Sequence, residues 1–408
     1  ENQFPNPARI MRGLTSKFDF AISLNLDSVP PAMRKLALGF ISAQANADLQ
    51  QRDDEPDGVY KMRRAQQERG LEAITQILEQ LERLVIGIDV DKENSQAALE
   101  IVFDAQEDSQ LAKDMKQVNK KRSHFERLVQ EEAPLSFSMS APIIERDQQQ
   151  YREMLDGLEL WLPTVLNKGS DETTLNPAIT AGIQALRDTV AEAHTDMFLQ
   201  FYGAPGSFSI VGGGRVVGGQ KINAGVKEVL MQFSDDINNE VGEIDFDHET
   251  YKDVVFHRMV ARDADDAARV FGDEIGIYLG VGRRTAWLAV GGSDALDKTK
   301  ELIDLLAEPK DGNRTRVRRG PFQLVVNAKQ WLGLDDDGEG VQFDAFEDGG
   351  DRMTIDIRPT ESGMRVRAQV DEGYLRLIGM AAGQRYDRRN ERRARRGNRG
   401  GQPSGSRD

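Results

Sequence analysis

Acidic side chains gather towards the C-terminal end of the chain, where they could bind a metal ion. Eight carboxylates fall between residues 334 and 351, on a glycine-rich stretch. Ca²⁺ prefers oxygen ligands of this kind. Runs of like charge are more typical of a solvated loop, so we expect no bound cofactor, with a calcium site at 335–351 as the alternative.

Two further acidic patterns have the spacing of metal ligands, but both lie in segments that we expect to form β-strands. The stretch 89–100 has acids at positions 1, 3, 5 and 12 of a calcium loop. However, Asn94 stands at position 6, where that loop needs glycine, so a hairpin turn is the better interpretation. In EIDFDHE, alternation along a strand places Asp245 and Asp247 on one face and His248 on the other. We therefore expect a polar strand edge there, with a metal site as the alternative.

The glycine run VGGGRVVGGQ, residues 211–220, partly matches a phosphate-binding loop. Gly212 and Gly214 fit the first two positions of a dinucleotide fingerprint, but Val217 occupies the third. The Gly-Lys-Ser/Thr of a P-loop is absent from the run. We therefore expect glycines that allow close backbone packing, in a strand followed by a helix at about 220–232.

No motif for nucleophilic or zinc catalysis is present in the sequence. The chain has no cysteine, and its four histidines occur without an H-E-x-x-H or G-x-S-x-G motif. With 68 acids in the chain, pairs of carboxylates are not diagnostic. We therefore expect a protein that is not an enzyme, with a carboxylate- or metal-dependent hydrolase as the alternative.

The C-terminal tail, residues 384–408, is the one strongly basic segment. It holds nine Arg, two Asp and one Glu, hence +6, so the net charge of −15 leaves −21 on residues 1–383. An acidic body argues against nucleic-acid binding. The tail could contact an anionic surface, its own body or another copy. The candidate contact residues are Arg388, Arg389, Arg392, Arg393, Arg395 and Arg396.

One order of elements recurs four times and indicates an α+β fold. Each occurrence has a strand, helical inserts of varying length, a β-hairpin and a short helix, as apolar periodicity shows. The hairpin–helix runs are 84–118, 197–230, 275–306 and 352–382. The strands that precede them are 18–26, 135–142, 254–261 and 322–328. We predict about four tandem β-(α)-β-β-α repeats, with mostly antiparallel sheets covered by helices, and we interpret them as an ancient duplication.

The domain boundaries follow from this order and from polar linkers. We expect an N-terminal arm at 1–16, a first lobe at 17–236 and a second lobe at 237–383. Residues 384–408 form an Arg/Gly-rich tail that should be disordered on its own.

The composition also bears on the compartment. A chain of 408 residues without cysteine is easier to understand where free thiols would oxidise. The first residue, Glu1, is what removal of a signal peptide would leave. No apolar run reaches the roughly 18 residues of a membrane helix. We expect an exported protein that is periplasmic, at the cell surface or extracellular.

The stretch FDFAISLNLDSVPPAMRKLALGFISAQ (18–44) and the strand–turn–strand–helix run 84–118 resemble uncharacterised exported proteins of planctomycete bacteria. The similarity is one of pattern and covers most of 1–383. It implies a compartment and an architecture, and it carries no catalytic residues.

The expected function is therefore that of a non-enzymatic exported envelope or extracellular protein. It would act by binding or by self-assembly, with another copy or another envelope component as partner. One alternative is a carrier of an apolar ligand or lipid between a sheet and its helices, and the other is the hydrolase named above.

Overall fold

The computed structural model describes residues 13–118, 123–166, 174–234, 242–261, 265–272, 275–308, 320–334, 341–383 and 386. In these residues the chain forms a mixed α and β fold, and 13 antiparallel strands make one sheet. The strands are β1 (Phe20–Asn25), β2 (Leu81–Asp91), β3 (Gln96–Ala105), β4 (Leu135–Pro142), β5 (His194–Tyr202), β6 (Ser209–Arg215), β7 (Gly242–Tyr251), β8 (Val254–Ala261), β9 (Gly276–Val281), β10 (Thr285–Gly291), β11 (Phe322–Asn327), β12 (Arg352–Pro359) and β13 (Gly363–Asp371).

The helices lie between the strands and after the last strand. They are α1 (Pro31–Asp48), α2 (Asp57–Gln80), α3 (Gln110–Gln117), α4 (Glu145–Leu166), α5 (Pro177–Ala191), α6 (Gly219–Gln232), α7 (Asp265–Phe271), α8 (Ala295–Ala307), α9 (Val341–Phe346) and α10 (372–383). A 3₁₀ segment, Ala328–Leu334, follows β11.

The strand order mixes both halves of the chain. Across the sheet it runs β1-β2-β3-β13-β12-β11-β4-β5-β6-β10-β9-β8-β7. The β12–β13 hairpin pairs with β3, β11 pairs with β4, and β10 pairs with β6. Groups of three or four strands from the predicted second lobe thus alternate with groups of three strands from the first. The division into two lobes stays a prediction, since strand order alone does not define folding units.

Local sequence signals account for several element boundaries. Ser109 caps α3 by accepting a hydrogen bond from the Ala112 backbone N–H, and Asn176 caps α5 in the same way through Ala178. Pro177 occupies the first turn of α5, where no intrahelical donor is needed. In the β2–β3 turn, the Asp91 carboxylate accepts from the backbone, so this segment is a tight hairpin.

The largest hydrophobic core lies on one face of the sheet, from β5 to β8. Phe125, Phe198 and Trp287 form a cluster of ring contacts with centroids 5.1–6.0 Å apart. Leu302 and Ile303 of α8 close this core. Gly213 is needed beneath these rings, since a Cβ there would lie 2.8 Å from the Phe198 ring.

The remaining long helices pack side by side in the order α1-α2-α4-α5-α6. At the α2–α4 crossing, a Cβ on Gly58 would lie 2.5 Å from the Gly157 carbonyl oxygen. Gly182 and Gly225 make a similar close approach between α5 and α6. Paired glycines therefore allow close backbone contact between α2 and α4 and between α5 and α6.

Two expectations are corrected by the fold. The prediction that Asp245 and Asp247 share a face opposite His248 is wrong, because β7 carries an irregularity between Asp245 and Glu249. Asp247 there has φ 52°, and His248 Nδ1 lies 2.6 Å from Asp245 Oδ2. The expectation of several sheets is corrected to one sheet, and the predicted antiparallel pairing is confirmed.

Candidate functional site

Strands β4 and β5 have their polar and apolar faces reversed relative to a usual half-buried strand. In β4 the serines Ser136, Ser138 and Ser140 are buried, whereas Phe137 and Met139 between them are half-exposed. Strand β5 buries His194, Asp196 and Gln200 and leaves Met197 and Leu199 on the open side. On β4, and at Met197 and Leu199 of β5, the more exposed side is therefore the apolar side, whereas Phe198 of β5 lies in the core on the opposite side.

The apolar side continues across the sheet as three rows of paired residues, which we call the apolar face. One row is Ile22, Ile86, Ile101, Val366, Ile357, Phe322, Met139 and Met197. The longest row is Phe20, Ile88, Leu99, Ala368, Ile355, Leu324, Phe137, Leu199, Gly212 and Leu288. The third row is Val90, Ala97, Val370, Met353, Val326 and Leu135. No polar side chain interrupts any of the rows.

The apolar face is large for an uncovered surface. Its longest row crosses ten strands, which at about 4.8 Å per strand spacing is roughly 43 Å. Phe20, Ile88 and Leu99 are 40–57% exposed, and Leu288 at the far end is 38% exposed. Contiguous apolar surfaces of this extent usually mark a binding site or an interaction surface.

The row of helices meets the apolar face near its two ends. At one end, Ile77 of α2 and Met115 of α3 pack against Leu84 and Phe103. At the other end, Ile222 of α6 packs with Val281 beyond the longest row. Among the described residues, the apolar positions of β11, β12 and β13 between these ends belong to no buried cluster. The apolar side chains in the middle of the face are half-buried, so they keep part of their apolar surface accessible.

The opposite side of the same strands, the polar face, contains a cavity of about 380 Å³. Its charges are balanced internally, since Arg358 Nε lies 2.7 Å from Asp356 Oδ1 and Asp371 accepts a hydrogen bond from Gln96. Its lining is Gln96, Gln323, Arg352, Thr354, Asp356, Arg358, Gln369 and Asp371. These contacts are typical of a structural network of polar side chains.

Glu100 is the most deeply buried acid of the polar face, with 1% of its surface exposed. Lys17 Nζ and Arg367 Nη1 lie 2.6 and 2.7 Å from its carboxylate oxygens. Burial alone would raise the pKa of Glu100, but these two hydrogen bonds and the nearby Arg365 outweigh burial and lower it. Glu100 therefore stays ionised and ties β3 to β13 and to the residues before β1.

A buried Ser–His pair lies at one end of the polar face. Ser140 Oγ and His194 Nε2 are 3.1 Å apart, and both residues are less than 10% exposed. Asp196 accepts hydrogen bonds from the Ser123 hydroxyl and the His124 backbone N–H. Asp196, which is paired with Ser140 across the two strands, is thus already hydrogen-bonded to Ser123 and His124. Because the serine is also buried, we interpret Ser140 and His194 as a structural pair.

The glycine run lies where β6 leads into α6. Gly218 has φ 66°, and a Cβ on Gly219 would lie 1.8 Å from the Gly282 carbonyl oxygen. The amides here donate within the protein, since Gly219 N bonds to the Arg283 carbonyl and Val217 N bonds to Thr189 Oγ1. Close packing therefore explains the glycines.

The predicted site residues have the following places. Arg388, Arg389, Arg392, Arg393, Arg395 and Arg396 lie outside the described residues, as does 335–340 of the acidic loop. Farther along that loop, Asp351 accepts a hydrogen bond from the Lys329 backbone N–H, and Asp348 lies 3.6 Å from Arg376. Within the described residues, no group of three or more His, Asp or Glu side chains could hold a metal ion.

Comparisons of the chain with known protein families, with curated proteins and with solved structures give no match. In the part of the chain that the structure describes, no helix has the length and apolar character needed to cross a membrane.

Apolar periodicity predicts the strands of the apolar face but does not mark that face as a binding surface. The sequence feature that points to the apolar face is the alternation in runs such as PLSFSMSA, which have small polar residues at every second position. Small polar residues can pack under a neighbouring layer, so this pattern does not reveal which side is buried.

Proposed function

We propose that the protein is a non-enzymatic binding protein that holds the hydrocarbon part of a lipid-like ligand on the apolar face. The observation that supports this proposal is the set of three uninterrupted apolar rows with half-exposed members. Exposed apolar surface is unfavourable in water by about 25 cal/mol per Å². A ligand that covers the rows would recover that free energy.

The chemistry of the face favours hydrocarbon chains over polar ligands. No hydrogen-bonding side chain lies within the rows, so they could not orient a sugar or a nucleotide. Met139, Met197 and Met353 contribute flexible thioether side chains, which adapt to ligands of variable shape. Acyl chains are flexible and apolar along their length and match such a surface.

Export, the absence of enzymatic activity and the fourfold duplication belong to this proposal. Absence of cysteine supports a location outside the cytoplasm. The internal hydrogen bonding of the buried Ser–His pair and of the cavity acids supports a role without catalysis. The recurring hairpin-and-helix order supports a duplication that widened one sheet and hence one apolar face.

The test is a titration of the protein with cis-parinaric acid, a fatty acid whose fluorescence rises in apolar surroundings. We expect saturable binding, and at least a tenfold weaker affinity for Ile355→Asn, in the middle of the longest row. The matched control is Thr354→Val, the preceding residue on the opposite face, which should bind as the unchanged protein does.

Extraction of the purified protein with organic solvent gives an independent measurement, and we expect co-purified lipid by mass spectrometry. Absence of lipid together with absence of saturable fatty-acid binding would overturn the proposal. Equal loss of affinity in both variants would show that binding does not depend on the apolar face.

A further inference from the structure

We infer that α1 and β1 form a docking surface for a zwitterionic lipid membrane, through which a ligand reaches the apolar face. This inference rests on the proposed function, since it supplies the source of a lipid-like ligand. It is carried by exposed apolar side chains on two consecutive elements at one edge of the sheet.

Helix α1 presents an unpartnered apolar stripe. Met33, Leu36 and Phe40 follow one another at helical spacing and therefore share one side of the helix. Their side chains are 61, 62 and 71% exposed, respectively. Leu38 and Ile41, on the other side, are half-buried. The helix thus has one anchored side and one bare apolar side.

The stripe lies at the same edge of the molecule as the exposed start of the apolar face. Arg34 of α1 donates hydrogen bonds to the carbonyl oxygens of Leu26, just after β1, and of Glu79 in α2. The three residues Phe20, Ile22 and Leu24 of β1 are 46–57% exposed. Strand β1 is an edge strand of the sheet. A lipid that leaves a membrane at α1 would meet the first strand of the apolar face.

The charge distribution favours a zwitterionic membrane over an anionic one. Residues 28–47 contain Arg34 and Lys35 and no acid, although the chain contains 68 acids. Carboxylates are costly to bring to an apolar interface, so their absence suits insertion. The net charge of −15 opposes approach to an anionic surface. A zwitterionic surface has no net charge and exerts no such repulsion.

Helix α1 has 18 residues and is therefore about 27 Å long. Its polar residues are Arg34, Lys35, Ser42, Gln44, Asn46 and, at the last position, Asp48. Helices of this type lie in the plane of the interface and bury their apolar side among the lipid headgroups. Met33, Leu36 and Phe40 are the side chains that would insert.

The first experiment is flotation of the full chain with phosphatidylcholine vesicles at 0.15 M and 0.5 M NaCl. We expect binding at both salt concentrations, because apolar insertion is not screened by salt. The double variant Leu36→Asp/Phe40→Asp should bind at least tenfold more weakly. The control is Leu160→Asp on α4, where Leu160 is 55% exposed, and it should bind like the unchanged protein.

The second experiment uses the absence of cysteine in the chain. A single cysteine at Ala37→Cys, beside the stripe, is labelled with an environment-sensitive fluorophore, and Leu160→Cys is labelled as the control. We expect a blue shift on addition of phosphatidylcholine vesicles for the label at position 37 and no shift for the label at position 160.

The outcomes separate this inference from the proposed function. Leu36→Asp/Phe40→Asp should still bind soluble cis-parinaric acid with unchanged affinity, which also shows that the variant is folded.

Vesicle binding that survives in this variant, or that requires anionic lipid, would overturn the docking surface. A doubled mass in solution that the variant abolishes would assign α1 to contact with another copy, which also overturns it. Absence of cis-parinaric acid binding by the unchanged protein would overturn the proposed function instead.

Discussion

At the scale of single residues, the structure gives His257 a defined protonation state. His257 lies on β8, is 1% exposed and accepts a hydrogen bond from the Asp247 backbone N–H at Nδ1. Its Nε2 lies 3.1 Å from the Asn223 Oδ1 of α6, so the ring is the neutral tautomer with a proton on Nε2. Burial lowers the pKa of His257 and outweighs the opposing effect of Asp247.

This environment predicts loss of stability on mild acidification. Below pH 6.5 the unfolded chain binds a proton at His257 that the folded chain resists, so the free energy of unfolding decreases as the pH falls. His257→Gln should reduce this dependence between pH 7.5 and 5, and lower stability at pH 7.5 by about 1 kcal/mol through the altered hydrogen bonds. Urea denaturation at several pH values measures both effects.

The control for this prediction is His248→Gln, which removes a histidine from a more exposed position on β7. It should leave the two hydrogen bonds of the His257 ring in place, so a difference between the two variants reports on His257. An unaltered pH dependence in His257→Gln would show that acidification acts on other groups.

At the scale of elements, the α2–α4 crossing depends on two glycines. Gly58→Ala would place a methyl group 2.5 Å from the Gly157 carbonyl oxygen and the Trp161 backbone nitrogen. Both obstacles are backbone atoms, so the helices must separate. We expect a loss of about 2–3 kcal/mol in the free energy of unfolding, by thermal or urea denaturation.

Gly70→Ala on the same helix is the matched control. A Cβ there meets nothing within 4 Å. Because alanine favours helix more than glycine, this substitution should stabilise the protein by about 0.5–1 kcal/mol. Equal effects of the two substitutions would contradict the close approach of α2 and α4.

At the scale of the whole molecule, the charge separation predicts salt-sensitive assembly through the tail. Removal of residues 384–408 would take away +6 and leave a body of −21. We expect weaker self-association of the truncated chain, and the same weakening of the full chain at high salt through screening. Light scattering at low and high salt measures both. An unchanged mass after truncation would refute assembly through the tail.

The salt response distinguishes this assembly from the docking surface on α1. Charge contacts between the tail and an acidic body weaken as salt increases, whereas apolar insertion of Leu36 and Phe40 does not. A full chain that loses assembly but keeps vesicle binding at 0.5 M NaCl would show that the two surfaces act independently.

The sequence by itself determined the local elements. Apolar periodicity in runs such as 84–118 predicted strands and a short helix, because this signal depends on residues that are close in the chain. Alternation misled at β7, where Asp247 adopts a left-handed conformation that interrupts the strand period. A single residue of this kind reverses the side chains that follow it.

The tertiary structure alone decided which face of the sheet became a candidate site. Alternation of Ser136, Phe137 and Ser138 defines two faces but not which one a neighbouring layer covers. Strand order depends on pairing between residues far apart in the chain, such as Ile101 with Val366. Only that long-range pairing aligns the apolar residues of successive strands into rows, and so creates a surface that no single segment contains.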